Sequence, residues 1–155
     1  MIQDPAPDFR LKRADGQWVS LADYAGSKLV LFFYPAALTP GCTVEAIDFT
    51  TARDTFSSAG YAIAGISPDD PETLTKFMTQ NNLDIALLSD PELETIKAYG
   101  AWGDRTLYGK VITGVIRSTL LIDVGSDGTG QVLEAQYGVR ATGHVKRLLG
   151  SLDLE

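Results

Sequence analysis

The sequence predicts an α/β fold, a mixed central sheet flanked by helices with an N-terminal β-hairpin, and three observations predict it. Residues 29–34 and 61–66 are apolar runs rich in β-branched and aromatic side chains without polar alternation, the pattern of strands covered on both faces. Each run leads to a helical stretch with its own start signal, Pro40-Gly41 after the first and Asp70-Pro71 after the second. Residues 117–122 and 131–137 form two further strands joined by a turn-rich segment, and this antiparallel pair makes the sheet mixed. At 155 residues the chain has the length of a single domain, 1–155, and no repeat, low-complexity tract or linker divides it.

The elements follow in order. The opening segment Pro5-Ala-Pro-Asp-Phe9-Arg-Leu11, then Ala14-Asp-Gly16-Gln and Trp18-Val-Ser20, reads as two short strands around an Asp15-Gly16 turn. The run 29–34 is a central strand, and Pro35 stops it because proline cannot donate to a ladder. A helix is expected over 42–58 with Cys42 as its first residue. Cys42, Ala46, Phe49, Ala52 and Phe56 recur at helical spacing and form its inward face, with Glu45, Asp48 and Asp54 directed elsewhere. After the strand 61–66, Asp70 suits an N-cap, Pro71 the first helical position, and Leu74, Phe77 and Met78 an apolar stripe. Leu87-Leu88 then reads as a short strand, and Asp90-Pro91 as the cap of a helix that carries Leu93 and Ile96 and stops at Gly100. Beyond the final strand pair, Thr142 is expected to cap a closing helix with Val145, Leu148 and Leu149 inward.

Thirteen basic against twenty acidic residues give a formal net charge of -7, a field that repels phosphate backbones and anionic lipid surfaces and argues against nucleic acid or membrane as partners. The longest apolar run, 29–34, is far short of the roughly 18 residues that a membrane helix needs. No basic segment followed by an apolar one opens the chain, so a cytoplasmic location is expected. One cysteine cannot form an internal disulfide, and with one histidine it cannot complete a four-ligand zinc site, so no metal or cofactor is expected.

Any chemistry of Cys42 therefore uses a lone thiol. Most lone cysteines are small, inert core residues, and context has to argue otherwise. Here a central strand, a proline stop and a short loop with Thr39 deliver Cys42 to the start of a helix, where free backbone N–H groups and the dipole favour negative charge. Acidity alone does not make an efficient nucleophile. Moving a thiol pKa from about 8.5 to about 6 raises the thiolate fraction at pH 7 about thirtyfold. With a Brønsted coefficient of about 0.4–0.5 the same move costs about tenfold in intrinsic reactivity. The remainder must come from donors that align the substrate and stabilise the leaving group.

The segment Pro35-Ala-Ala-Leu-Thr39-Pro-Gly-Cys42-Thr resembles the active-site loop of peroxiredoxins, specifically their PrxQ or bacterioferritin comigratory protein branch. The resemblance extends along nearly the whole chain, through Gly65-Ile-Ser-Pro-Asp, Leu88-Ser-Asp-Pro, Tyr99-Gly-Ala-Trp102-Gly, Tyr108-Gly-Lys and Gly114-Val-Ile-Arg117-Ser-Thr. It implies a thioredoxin-like fold and a peroxidase that reduces hydrogen peroxide and organic hydroperoxides through a sulfenic acid on Cys42. It further implies that Thr39 accepts from and orients the peroxide, that Pro35 shields the thiolate from water, and that Arg117 stabilises both thiolate and transition state. The branch commonly carries a resolving cysteine five residues after the nucleophile, and Ile47 stands there in this chain. The resemblance then implies a one-cysteine mechanism with an external reductant, a thioredoxin-like or glutaredoxin-like protein or a low-molecular-weight thiol, in a monomer or weak homodimer.

Other residues rank lower. Glu45 reads either as a hydrogen-bonding group within the pocket or, more commonly for such a residue, as a complement to the helix dipole; His144 reads as an exposed helix residue, and Tyr99 and Trp102 are left unassigned, packing being the commoner role. A competing Cys-His hydrolase would need His144 to reach Cys42, and a slowly cycling redox sensor or holdase would keep the thiol but not the turnover.

Overall fold

The unalternating run at 29–34 becomes a strand buried on both faces. The computed structural model describes residues 4–107 and 109–154. In chain order it forms β1 (Arg10–Arg13), β2 (Trp18–Ser20), β3 (Lys28–Phe33), α1 (Pro40–Ser58), β4 (Tyr61–Ser67), α2 (Pro71–Asn81) and β5 (Ala86–Ser89). There follow α3 (Glu94–Ala98), β6 (Trp102–Leu107), β7 (Lys110–Val115), β8 (Ser118–Val124), β9 (Gly130–Tyr137) and α4 (His144–Ser151). Among the described residues, the main sheet runs β2-β1-β5-β4-β3-β8-β9. Its centre is parallel, β5 to β4 to β3, and antiparallel partners close it on either side, as expected of a mixed sheet.

Alternate residues of β3 feed two cores, which explains why the strand lacks polar positions. Val30 and Phe32 pack with Ala46, Phe49 and Phe56 of α1, Leu74 and Phe77 of α2, and Val145 and Leu148 of α4. Leu29, Leu31 and Phe33 face the other way, onto Leu21, Ile96 and Tyr99. Three of the helices thus cover one face and α3 the other. Phe32 is central to the helical side, its ring stacked on Phe49 at 4.5 Å between centroids.

Several elements differ from the expectation. The helix carrying Cys42 starts at Pro40, so the cysteine is its third residue; proline at a first helical position loses no bond, because that N–H is an orphan anyway. The helix after β5 does not begin at Asp90-Pro91. Asp90 to Leu93 forms a turn, Leu93 adopts φ 64°, and α3 begins at Glu94, with Asp90 still useful because its carboxylate accepts from the Ile96 N–H at 2.8 Å. In α4 the N-cap is Gly143, φ 76°, and not Thr142. Arg117 immediately precedes β8 instead of opening it. The β6–β7 hairpin was not anticipated: β7 is largely exposed, with Val111 70% exposed, so no buried periodicity announces it. Tyr108, in the Tyr108-Gly-Lys segment, lies outside the described residues.

Gly65 of β4 sits opposite Phe32 of β3, and a β-carbon there would come within 2.5 Å of the Phe32 ring. Gly65→Ala is therefore expected to displace Phe32 from Phe49 and to destabilise the protein by about 1–3 kcal/mol. Denaturant midpoints of the two proteins measure this, and equal midpoints would show that the ring has room to move.

Candidate active site

Strand register brings the site together. β3 and β8 pair Phe33 with Ser118, so Arg117, just before β8, stands level with Tyr34, where β3 gives way to the loop leading into α1. The Arg117 carbonyl accepts from the Val139 N–H at 3.0 Å, which ties its backbone to the segment after β9. From there the side chain crosses to the first turns of α1. Nη2 donates to Cys42 Sγ at 3.2 Å, and Nη1 donates to Glu45 Oε1 at 2.7 Å. Gly41 allows the crossing, since a β-carbon at that position would lie 3.3 Å from Nη2.

The three groups are withdrawn from water. Cys42 is 2% exposed, Glu45 is fully buried and the Arg117 side chain is 14% exposed. Burial works against the Arg117 charge, but the Glu45 carboxylate and the Cys42 sulfur outweigh it and hold the guanidinium more firmly protonated than usual. Burial also raises the Glu45 carboxyl above the ordinary range, with Arg117 pulling it back, and among the described residues Glu45 Oε2 has no hydrogen-bond partner. Glu45 therefore does not point away from the cysteine face. Cys42 and Glu45 are three residues apart, a helical spacing that puts both on one side, and that spacing was the available signal.

Thr39 is the N-cap residue of α1 but does not cap it with its side chain. Its hydroxyl donates to the Ala36 carbonyl at 2.7 Å, so toward any ligand its oxygen can only accept. Thr39 is exposed and Pro35 half-buried; both belong to the loop that delivers Cys42, and neither hydrogen-bonds to the sulfur. Tyr99 and Trp102 serve packing: the Tyr99 hydroxyl donates to the Pro7 carbonyl at 2.6 Å, and Trp102 lies under Lys97.

His144 is not exposed. It is 2% exposed, packs edge-on against Phe49, and shares a hydrogen bond with the Thr119 hydroxyl at 2.8 Å through Nε2. Burial, and then the charges of Arg147 and Arg117, push its pKa down to about 4. Its partner is Thr119 and not Cys42, so the Cys-His hydrolase pairing is absent.

The sulfur thus sits in the first turn of α1 against a largely buried guanidinium that donates to it. A model of the AhpC/TSA family matches residues 2–128. The chain belongs to that family. A Mycobacterium tuberculosis protein named as a peroxiredoxin is 48% identical over 151 residues, covering 97% of this chain and 94% of that protein. Peroxiredoxin Bcp of Bacillus subtilis is 38% identical over the same coverage of 97% and 94%. Among solved structures, the bacterioferritin comigratory protein of Xanthomonas campestris superposes with a TM-score of 0.83 at 32% identity, covering 94% of this chain and 90% of that one. The chain is thus a peroxiredoxin of the Bcp/PrxQ branch with a thioredoxin-like fold, and its activity is that of a thiol-dependent peroxidase. With one cysteine in the sequence it is of the one-cysteine type. As a peroxiredoxin it takes a peroxide as substrate and thioredoxin-like thiols as reductants.

The His144 environment has a consequence for acid stability. Its folded pKa of about 4 lies below the usual value of about 6.5, so its contribution is present above about pH 6.5 and is lost as pH falls through about 4. Replacing His144 by Gln should reduce the stability lost between pH 7 and 4.5 by about 2 kcal/mol. Urea titrations at the two pH values measure it, and parallel losses in both proteins would show that His144 does not titrate with folding.

Proposed function

We propose that Cys42 is the peroxidatic nucleophile and that Arg117, Thr39 and Pro35 form the pocket in which it meets the peroxide. The observation that carries this reading is the 3.2 Å contact between Arg117 Nη2 and Cys42 Sγ. That N–H favours the anionic sulfur before attack and then faces the oxygen atoms between which charge moves. Thr39, with its proton committed to Ala36, accepts from the distal hydroxyl of the peroxide and aligns it. Pro35 offers no N–H to compete for the substrate and screens the sulfur from water. Glu45 holds the guanidinium through its second nitrogen, at 2.7 Å.

In this reading the thiolate attacks the nearer oxygen, an S–O bond forms as the O–O bond breaks, and the departing alkoxide takes up a proton. Cysteine is oxidised to sulfenic acid and the peroxide is reduced to an alcohol or water. A first external thiol then displaces water to form a mixed disulfide, and a second releases the Cys42 thiol. That thiol comes from a thioredoxin-like or glutaredoxin-like protein or a low-molecular-weight thiol. Organic hydroperoxides join hydrogen peroxide as substrates, a reading supported by the alkyl peroxide reduction activity named for the Xanthomonas protein. The protein acts in the cytoplasm as a monomer or weak homodimer, away from nucleic acid and membranes; the charge of -7 and the lack, among the described residues, of a helix long and apolar enough to cross a membrane support this.

Cys42→Ser is expected to abolish peroxide consumption, and a variant that still consumed peroxide would remove Cys42 from the mechanism. Arg117→Ala is expected to slow the oxidation step by at least about tenfold in stopped-flow mixing with hydrogen peroxide, at a pH where the thiol is already ionised. An unchanged rate would leave Arg117 with a structural role alone.

A further inference from the structure

We infer that Asp69 is a positioning residue for the peroxide pocket, its carboxylate fixing the catalytic loop at Ala37 and so setting where Pro35 and Thr39 stand relative to Cys42. The inference rests on the peroxidase reading of Cys42. The Tyr34 N–H donates to the Ile66 carbonyl at 3.1 Å, the last ladder bond before the loop, and α1 begins at Pro40. Between these points the Thr39 carbonyl joins α1, accepting from the Thr43 N–H at 2.9 Å and the Thr43 hydroxyl at 2.7 Å, and among the described residues the bond that ties the middle of the loop to the sheet side is Ala37 N–H to Asp69 Oδ2, at 2.7 Å across 32 positions of sequence. The bond from Thr39 to Ala36 is internal to the loop. Leu38, next to Ala37, is exposed and adopts φ 66°, a conformation costly to a side chain of its size and maintained only when its surroundings impose it.

Asp69 is itself firmly held. Ser67 Oγ donates to the same Oδ2 at 2.8 Å, and the Ser89 hydroxyl donates to the Asp69 carbonyl at 2.6 Å. The Asp90 N–H donates to the Ser67 carbonyl at 2.8 Å, and Ser67 and Ser89 are buried at the ends of β4 and β5. The loop is therefore referenced to the rigid end of the parallel sheet. Ala37 lies two residues from both Pro35 and Thr39, so releasing it loosens the path that joins Pro35 to the N-cap of α1, and a displacement of about 1 Å in a positioning group costs up to about a hundredfold in rate. One oxygen accepts from both donors, so the position needs an acceptor at that place and not a charge. Asn supplies one with its amide oxygen; Ala leaves the Ala37 N–H without a partner.

The test compares wild type, Asp69→Ala and Asp69→Asn, each shown folded by near-ultraviolet circular dichroism, in two reactions of the same sulfur. Stopped-flow oxidation by hydrogen peroxide needs the pocket, whereas alkylation by iodoacetamide needs only an accessible, ionised thiol. Asp69→Ala should oxidise about 10- to 100-fold more slowly while alkylating within about twofold of wild type, and Asp69→Asn should keep both rates within about threefold. Wild-type peroxide rates in Asp69→Ala, equal losses in both reactions, or an Asp69→Asn as impaired as Asp69→Ala would each overturn the inference. If Asp69→Ala does not fold, Ser67→Ala carries the test: removing one tether of the carboxylate should slow oxidation at least about threefold and spare alkylation, and equal effects would overturn the inference. Slow oxidation of the wild type would instead count against the peroxidase reading itself.

Discussion

The Arg117 guanidinium serves two acceptors at once, the Cys42 sulfur at 3.2 Å and the Glu45 carboxylate at 2.7 Å, with all three groups nearly closed to water. Taking a carboxylate and a guanidinium out of water is costly, and pairing offsets that cost only while both partners are present. Removing either leaves a buried charge uncompensated, so the pair is better understood as a device for aiming than as a source of stability. Guanidinium is suited to it because its donors lie in a rigid plane: one nitrogen secured by Glu45 determines where the next one points.

The fold's contribution is to bring remote segments to that plane. Cys42 and Arg117 are 75 positions apart, and the antiparallel pairing of β8 with β3 closes the separation. α1 then runs back over the sheet, anchored by Phe49 and Phe56 against β3 and its neighbours, so its first turn hangs over the end of β3. Gly41 keeps the path of the arginine open. The buried bond from His144 to Thr119 joins α4 to the strand that follows Arg117, two residues beyond it. Core and site are therefore one construction, in which a shift in α1 or β8 is a shift in the distance between sulfur and guanidinium.

Much of this was legible in the sequence, for identifiable reasons. Strands buried on both faces carry no polar residue, so 29–34 and 61–66 announced themselves, as did the Asp70-Pro71 start of α2, where the Asp70 carboxylate accepts from the Thr73 N–H at 2.8 Å. Less legible were features that depend on three-dimensional neighbours. Spacing from Cys42 puts Glu45 on the cysteine side of α1, but its ion pair depends on Arg117 lying opposite, and His144 looks like any helix-start residue until Thr119 and Phe49 enclose it. The start of α3 was displaced because Asp90 caps from a turn's distance, accepting from Ile96, six residues on. The β6–β7 hairpin is exposed on most of its length and so lacks the burial that writes a period into a sequence.

In the proposed mechanism direction, and not charge alone, makes Arg117 effective. Lysine at that position keeps the positive charge, but its single nitrogen cannot hold Glu45 and also present a fixed N–H to the sulfur. The most direct test is the rate of Cys42 oxidation by hydrogen peroxide in Arg117→Lys, measured by stopped flow alongside iodoacetamide alkylation. Oxidation should slow by about tenfold or more while alkylation stays nearly unchanged. Oxidation at the wild-type rate would contradict this mechanism, since a point charge would then suffice.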